Sequence, residues 1–220
     1  SSYALGRGVS AVDGRLYDSN GGNATFVGNL AECAALPGKH NHQNAVAAYA
    51  ACRALGLDHQ AIMAGLKSFP GLAHRMERVG EIEGVRFIND SKATNAQAAE
   101  QALKSYENIY WIAGGVPKSD GIGSLAPLFP RINKAYLIGE AEDAFAATLK
   151  GKVATQSCGT LENAVQAAFR DARNAGTDNP VILLSPACAS FDQFRDFEHR
   201  GDVFRSIVES MMPTELREMA

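Results

Sequence analysis

The sequence has only four cysteines, Cys33, Cys52, Cys158 and Cys188, and no two of them form a C-x-x-C pair. That excludes a cysteine-built zinc site or a disulfide framework; scattered thiols read as small core residues of a reducing compartment, here expected to be the cytoplasm. No apolar run approaches the length of a membrane span, and Ser1-Ser2-Tyr3 opens no secretory signal. The start lacks both a methionine and a plausible domain opening, so a truncated chain is expected. Positive charge is not in excess: the net charge is −3 with both signs interspersed, which argues against nonspecific nucleic-acid binding. A P-loop is missing too. Gly38-Lys39-His40 carries histidine where a hydroxyl is required, and Gly114-Gly115-Val116-Pro117-Lys118-Ser119 has the wrong order. What is present is a 220-residue chain with 46% apolar residues, enough for a sizeable core in one or two domains.

The first 36 residues read as strands and turns. Asp13-Gly14 and Asn20-Gly21-Gly22 are hairpin signals between apolar segments. Two helices follow, 45–55 ended by Gly56 and 58–69 ended by Pro70-Gly71. From Arg78 the pattern alternates. Strands are expected at 78–82, 85–88, 109–113, 134–138, 153–156 and 181–184, and helices at 95–105, 140–150, 161–175 and 191–211. Such alternation predicts an α/β fold, a Rossmann-like, mostly parallel sheet with helices on both faces. The first two of these strands, turned at Glu83-Gly84, should form an antiparallel hairpin. Domains are expected at 1–73 and 74–220.

One junction concentrates chemistry. The apolar run Val85-Arg86-Phe87-Ile88 stops at Asn89-Asp90-Ser91-Lys92-Ala93-Thr94-Asn95, and an alanine-rich helix capped by Thr94 or Asn95 follows. Strand ends leading into helices are where α/β sheets present ligand-binding groups. Lys92 offers a point charge suited to a phosphate oxygen. Asp90 can accept from ribose hydroxyls or hold a cation's water, and Ser91 and Thr94 add hydroxyls. An ordinary capped strand–helix junction remains the alternative.

Other loops carry less specific signals. Asn41 and Asn44, three apart at a helix start, could present carboxamides to an adenine edge, or Asn41 could simply cap the helix. His40 and His42 fall on different helix faces, which disfavours a two-histidine metal site. Arg75 is a guanidinium able to bind two phosphate oxygens, or an ordinary surface arginine. Gly121-Ile122-Gly123-Ser124-Leu125-Ala126 matches G-x-G-x-x-A but sits several residues beyond its strand, a poor placement for a dinucleotide fingerprint. In 184–192, four small residues before a helix let backbone approach an anion, with Ser190 as a donor. Cys188 could be a nucleophile with His199, but an inert buried thiol is the default.

The run Asn89-Asp90-Ser91-Lys92-Ala93-Thr94-Asn95, together with Gly38-x-His40-Asn41-x-x-Asn44 and Ser185-Pro186-Ala187-x-Ala189-Ser190-x-Asp192-x-Phe194, resembles the Mur ligase and folylpolyglutamate synthase superfamily. The lysine at 92 points to the branch that adds D-glutamate, and the likeness runs from Pro37 to Phe204. Phe191 departs from it by replacing a leucine. The resemblance implies a ligase that uses ATP and Mg2+ to join D-glutamate to UDP-N-acetylmuramoyl-L-alanine through an acyl phosphate, in cell-wall precursor synthesis. It implies ATP contacts at Asn41, Asn44, Arg75, Asp90 and Lys92, with Lys92 and Arg75 also acting in catalysis. It implies D-glutamate contacts at Thr94, Lys118, Ser190 and Phe197. Residues 1–73 would be the end of a central ATP-binding domain and 74–220 a complete C-terminal domain. The P-loop, the Mg2+-holding side chains, a modified lysine and a uridine-nucleotide domain are expected upstream, so the chain alone is expected to be inactive. Its partners would be small molecules, with neither nucleic acid nor membrane, and the full-length form is expected to be a monomer. A non-catalytic nucleotide- or acidic-metabolite-binding module, or another amino-acid-adding member of the family, remains the alternative.

Overall fold

The computed structural model describes residues 7–20 and 22–212. The reading of Ser1-Ser2-Tyr3 and the Gly21 position of the second turn lie outside them. The chain divides into two compact units between Gly71 and Leu72.

In the first unit, strands β1 (Val9–Val12), β2 (Arg15–Asp18) and β3 (Thr25–Asn29) form an antiparallel sheet in that order. Asp13 and Gly14 both take positive φ, 48° and 77°, the backbone of a tight hairpin whose twist matches its strands. Helix α1 (Lys39–Ala54) starts well before the expected residue 45. Gly38, at φ 88°, makes the break, and the polar run 39–44 forms the first turns because none of it must be buried there. Helix α2 (His59–Ser68) is capped by Asp58, whose carboxylate accepts from Gln60 N at 2.8 Å. Leu16, Leu30, Tyr49, Ile62 and Met63 are the centre of this unit's core.

The second unit is built on six strands: β4 (Glu77–Ile82), β5 (Val85–Asn89), β6 (Ile109–Gly114), β7 (Ile132–Ile138), β8 (Ala154–Gly159) and β9 (Val181–Leu184). Their order is β4-β5-β9-β6-β7-β8, and only the β4–β5 hairpin is antiparallel. The helices are α3 (Ala96–Ser105), α4 (Glu142–Leu149), α5 (Leu161–Asn174) and α6 (Phe197–Met211). No α-helix joins β6 to β7. Pro127 and Pro130 lack the N–H that an α-helix needs, and residues Gly123–Arg131 wind instead as a 3-10 segment burying Leu125, Leu128 and Phe129. Two cores cover the two faces of the sheet. Trp111, Leu183 and Ile109 pack on the α3 side, and Tyr110, Ile182 and Phe87 on the side of α5 and α6.

Helix α6 corrects an expectation. It begins at Phe197, not at residue 191, because Asp196 caps it by accepting from His199 N at 2.6 Å. Residues 191–196 form a turn anchored by Phe194 N donating to Ser190 O at 2.8 Å. Among the described residues no helix is long and apolar enough to cross a membrane.

Candidate functional site

Strands β5, β9 and β6 run parallel and adjacent, so their carboxyl ends deliver three loops side by side. The chain leaves β5 toward α3 on one face and leaves β9 toward α6 on the other. That divergence makes the end of β9 a topological switch point, the position where α/β sheets hold ligands.

The β5 loop is rigidly held. Asn89, fully buried, has its Nδ2 within hydrogen-bond distance of His74 Nδ1 (3.1 Å), Glu77 Oε2 (3.1 Å) and Gly201 O (3.2 Å). Lys92 N donates to His74 O at 3.0 Å, and Thr94 N to Lys92 O at 2.8 Å. Asn95 caps α3, accepting from Ala98 N at 2.8 Å. The Lys92 ammonium lies 3.7 Å from the centroid of the Phe197 ring, over the first residue of α6. This ring face attracts the cation and orients it without neutralising it. Two predicted residues from different ends of the sequence, Lys92 and Phe197, are thus in contact. Arg75 is exposed, with its backbone N donating to Leu72 O at 3.2 Å.

Asp90 is buried rather than presented as an open acceptor. One oxygen accepts from Met76 N (3.2 Å) and the other from Ser185 Oγ (2.8 Å). Burial pushes its pKa up to about 7 against these two hydrogen bonds and the Arg75 charge, all of which favour the carboxylate. Its folded pKa lies above its unfolded value. The stability it contributes is therefore full below about pH 4 and is lost as pH rises through 7. Between pH 5 and 8 that loss is roughly 2–3 kcal/mol. Trp111, the only tryptophan, lies in the core of this unit and reports its unfolding. Urea titrations followed by its fluorescence should show a smaller pH 5-to-8 loss for Asp90→Asn than for the native residue; parallel profiles would contradict the assignment.

The β9 loop carries Ser190, 2% exposed, whose carbonyl accepts from Gln193 N and Phe194 N. It is laced to the β6 loop. Gly114 N donates to Pro186 O at 2.9 Å, Val116 and Ala189 exchange backbone hydrogen bonds, and Trp111 Nε1 donates to Ser185 O at 2.8 Å. Lys118 stands exposed two residues beyond that pairing, its carbonyl accepting from Gly121 N at 3.1 Å. Asp192 fastens the far side, with Oδ2 accepting from Glu140 N at 3.1 Å. Cys188 is fully buried, and burial pushes its thiol up to about 12, the state of an inert core cysteine. His199 Nδ1 accepts from Arg195 N at 3.3 Å. In the G-x-G-x-x-A segment, Gly123 opens the 3-10 segment, well past the end of β6, so strand end and α-helix start do not meet there.

Asn41 and Asn44 belong to the first unit, on α1. Asn41 Nδ2 donates to Pro37 O at 2.8 Å, so this carboxamide secures the preceding loop and is not the helix cap, a position held by Gly38. Asn44 is exposed. Burial lowers the pKa of both His40 and His42.

Sequence reasoning did not give Arg200, His74 and Ser185 the role of holding the loops. Arg200 and Ser185 are wholly buried, and His74 nearly so. A signal for Arg200 existed: it falls four and eight residues before Phe204 and Val208, the buried stripe of α6. A charged residue on such a stripe must bond something inside.

Comparison with known proteins identifies the family. The model of the family described as "Mur ligase, glutamate ligase domain" matches residues 74–188. The chain is 56% identical over 208 residues to the UDP-N-acetylmuramoylalanine--D-glutamate ligase of Caulobacter sp. (strain K31), covering 94% of this chain and 44% of that protein. It is 58% identical, over the same shares, to the protein so named from Caulobacter vibrioides (strain NA1000 / CB15N). The chain thus spans less than half the length of these curated relatives. Among solved structures, UDP-N-acetylmuramate-alanine ligase MurC from Thermotoga maritima is similar with a TM-score of 0.60 at 17% identity, covering 93% of this chain and 45% of that one. MurF from Acinetobacter baumannii is similar with a TM-score of 0.60 at 18% identity, covering 91% and 44%. At that identity they speak for the fold alone. With its mostly parallel sheet and the family match over residues 74–188, this chain belongs to the Mur ligases, through their glutamate ligase domain.

Proposed function

We propose that the chain is part of an ATP-dependent ligase that joins D-glutamate to UDP-N-acetylmuramoyl-L-alanine. The observation that carries this reading is the identity of more than half of its residues with ligases of that name. The placement of Lys92, Ser190 and Lys118 on three adjacent strand ends supports it. In the reaction, the terminal carboxylate of the nucleotide substrate takes the γ-phosphoryl group of ATP. The D-glutamate amine then attacks the acyl phosphate, and phosphate leaves. Negative charge accumulates on phosphoryl and tetrahedral oxygens, where Lys92 and Arg75 would supply preorganised positive charge. Lys118, Thr94 and Ser190 would engage the two carboxylates of D-glutamate, with the Phe197 ring steadying Lys92 beside them. Asp90 would act chiefly by holding the loop, since both its oxygens already accept protein donors.

Mg2+ would neutralise the phosphate charge when bound. Asn41 and Asn44 are proposed to touch the adenine. The first unit would belong to the ATP-binding domain and the second would be the amino-acid-binding domain.

The test is phosphate release by the full-length protein. It should require ATP, UDP-N-acetylmuramoyl-L-alanine and D-glutamate together, and the 220 residues alone, lacking a P-loop, should release none. Release with a different amino acid would assign another member of the family, and NAD binding without any release would favour a binding module. Within the full-length enzyme, Lys118→Ala removes a charge-assisted contact of about 1.5–3 kcal/mol and should raise the D-glutamate KM roughly 10- to 150-fold. An unchanged KM would take Lys118 out of the pocket.

A further inference from the structure

Beyond the last backbone rung between β5 and β9, where Asp90 N donates to Leu184 O at 2.7 Å, the two loops are tied by the Ser185–Asp90 hydrogen bond and, farther out, by the Arg200 side chain. Arg200 Nε donates to Ser91 Oγ (3.0 Å) and Nη2 to Ser91 O (2.9 Å), while Nη1 and Nη2 both donate to Cys188 O (3.2 Å each). Ser91 Oγ in turn donates to Phe197 O at 2.8 Å. Ser91 precedes Lys92, and Cys188 stands two residues before Ser190. The guanidinium is 0% exposed, and among the described residues no carboxylate pairs with it at ion-pair distance.

A stripe residue serving only to pack α6 would be apolar, as Phe204 and Val208 are, since an unpaired buried cation is costly. A planar fork with donors on three nitrogens is what two carbonyls and a hydroxyl from separate loops require, and a lysine ammonium has no such shape. The β6 loop closes on the same point. A Cβ at Gly115 would lie 3.3 Å from Arg200 Nη1 and only 2.2 Å from Ala189 O, so that position admits no side chain.

We infer that Arg200 is a positioning residue: it holds the Lys92 loop and the Ser190 loop at one separation, so that nucleotide-side and amino-acid-side contacts are set together. The inference rests on the ligase reading for what the two loops bind, but the clamp itself is tested separately. In the full-length enzyme, Arg200→Lys should raise the KM for ATP and for D-glutamate together, each roughly 10- to 100-fold, because misplacement by a fraction of an ångström to an ångström is enough. A residue that merely stabilised the fold would lower the active fraction and leave both KM values unchanged in what remains folded. That result, or a rise in one KM alone, overturns the proposal. Should Arg200→Lys fail to fold, Ser91→Ala removes the hydroxyl acceptor with little change in volume. It should give the same paired rise at about three-fold, the scale of one neutral hydrogen bond; no rise overturns the clamp. Amide hydrogen exchange covers the case in which the ligase reading itself fails. Residues 91–94 and 188–190 should lose protection together in either variant, whatever the enzyme's substrate, and unchanged protection overturns the clamp.

Discussion

Replacing Lys92 by alanine in the full-length ligase should lower kcat roughly 100- to 1,000-fold, the loss that follows removal of one preorganised donor to a developing oxyanion. The ammonium is placed before substrate arrives. Its backbone is pinned to His74 O, and its Nζ rests 3.7 Å from the centroid of the Phe197 ring. No reorganisation is then needed at the moment when phosphoryl oxygens gain charge. Lys92→Arg should recover little, because a broad guanidinium cannot occupy the space of a compact ammonium over one ring. Steady-state kinetics distinguish the roles. If the ATP KM rises while kcat holds, Lys92 binds ground state and transition state equally, and its transition-state role is lost.

What could be read from the sequence depended on whether the deciding interaction was local. Strand β9 was expected at 181–184 and spans those residues, because a continuous apolar run bounded by Pro180 and Ser185 leaves no other choice. The Asn95 cap was equally local, one of two neighbouring candidates named in advance. By contrast, insertion of β9 between β5 and β6 could not be read. Strands β6 and β9 are apolar on both faces and β5 departs from that only at Arg86 and Asn89, so no pattern distinguishes a central neighbour from an outer one. The start of α6 was misjudged because Phe191 and Phe194 continue an apolar spacing, whereas Asp196 supplies the cap. Within the candidate site, the polar run 89–95 announced itself. The ties that hold it, Arg200 to Ser91 and Ser185 to Asp90, span 109 and 95 residues, so although Arg200 stands out on the apolar stripe of α6, no local pattern names the partners. The sequence thus displayed the groups that would face a ligand and concealed those that face inward.

The largest structural effect is expected at Gly114, where the chain leaves β6. Its φ is 130°, a conformation that side-chain-bearing residues rarely adopt, and a Cβ there would lie 1.9 Å from the carbonyl oxygen of Ile138 on β7. That carbonyl cannot yield easily, since it also accepts from Gly115 N at 3.1 Å. Gly114 N is meanwhile bound to Pro186 O, so any retreat would pull the β6 and β9 loops apart. Gly114→Ala should therefore destabilise the second unit by about 4 kcal/mol or more, beyond the usual range for a point substitution. Gly151→Ala is the control. Its φ is also positive, 72°, but nothing lies within 4 Å of the added Cβ, so it should cost only about 1–2 kcal/mol. Trp111 fluorescence during urea unfolding reads both variants. Equal losses at the two positions would mean that backbone preference alone accounts for Gly114 and that the close approach of β6 to β7 is not tight. A much larger loss at Gly114 would identify that approach as what sets the spacing of the β6 and β9 loops.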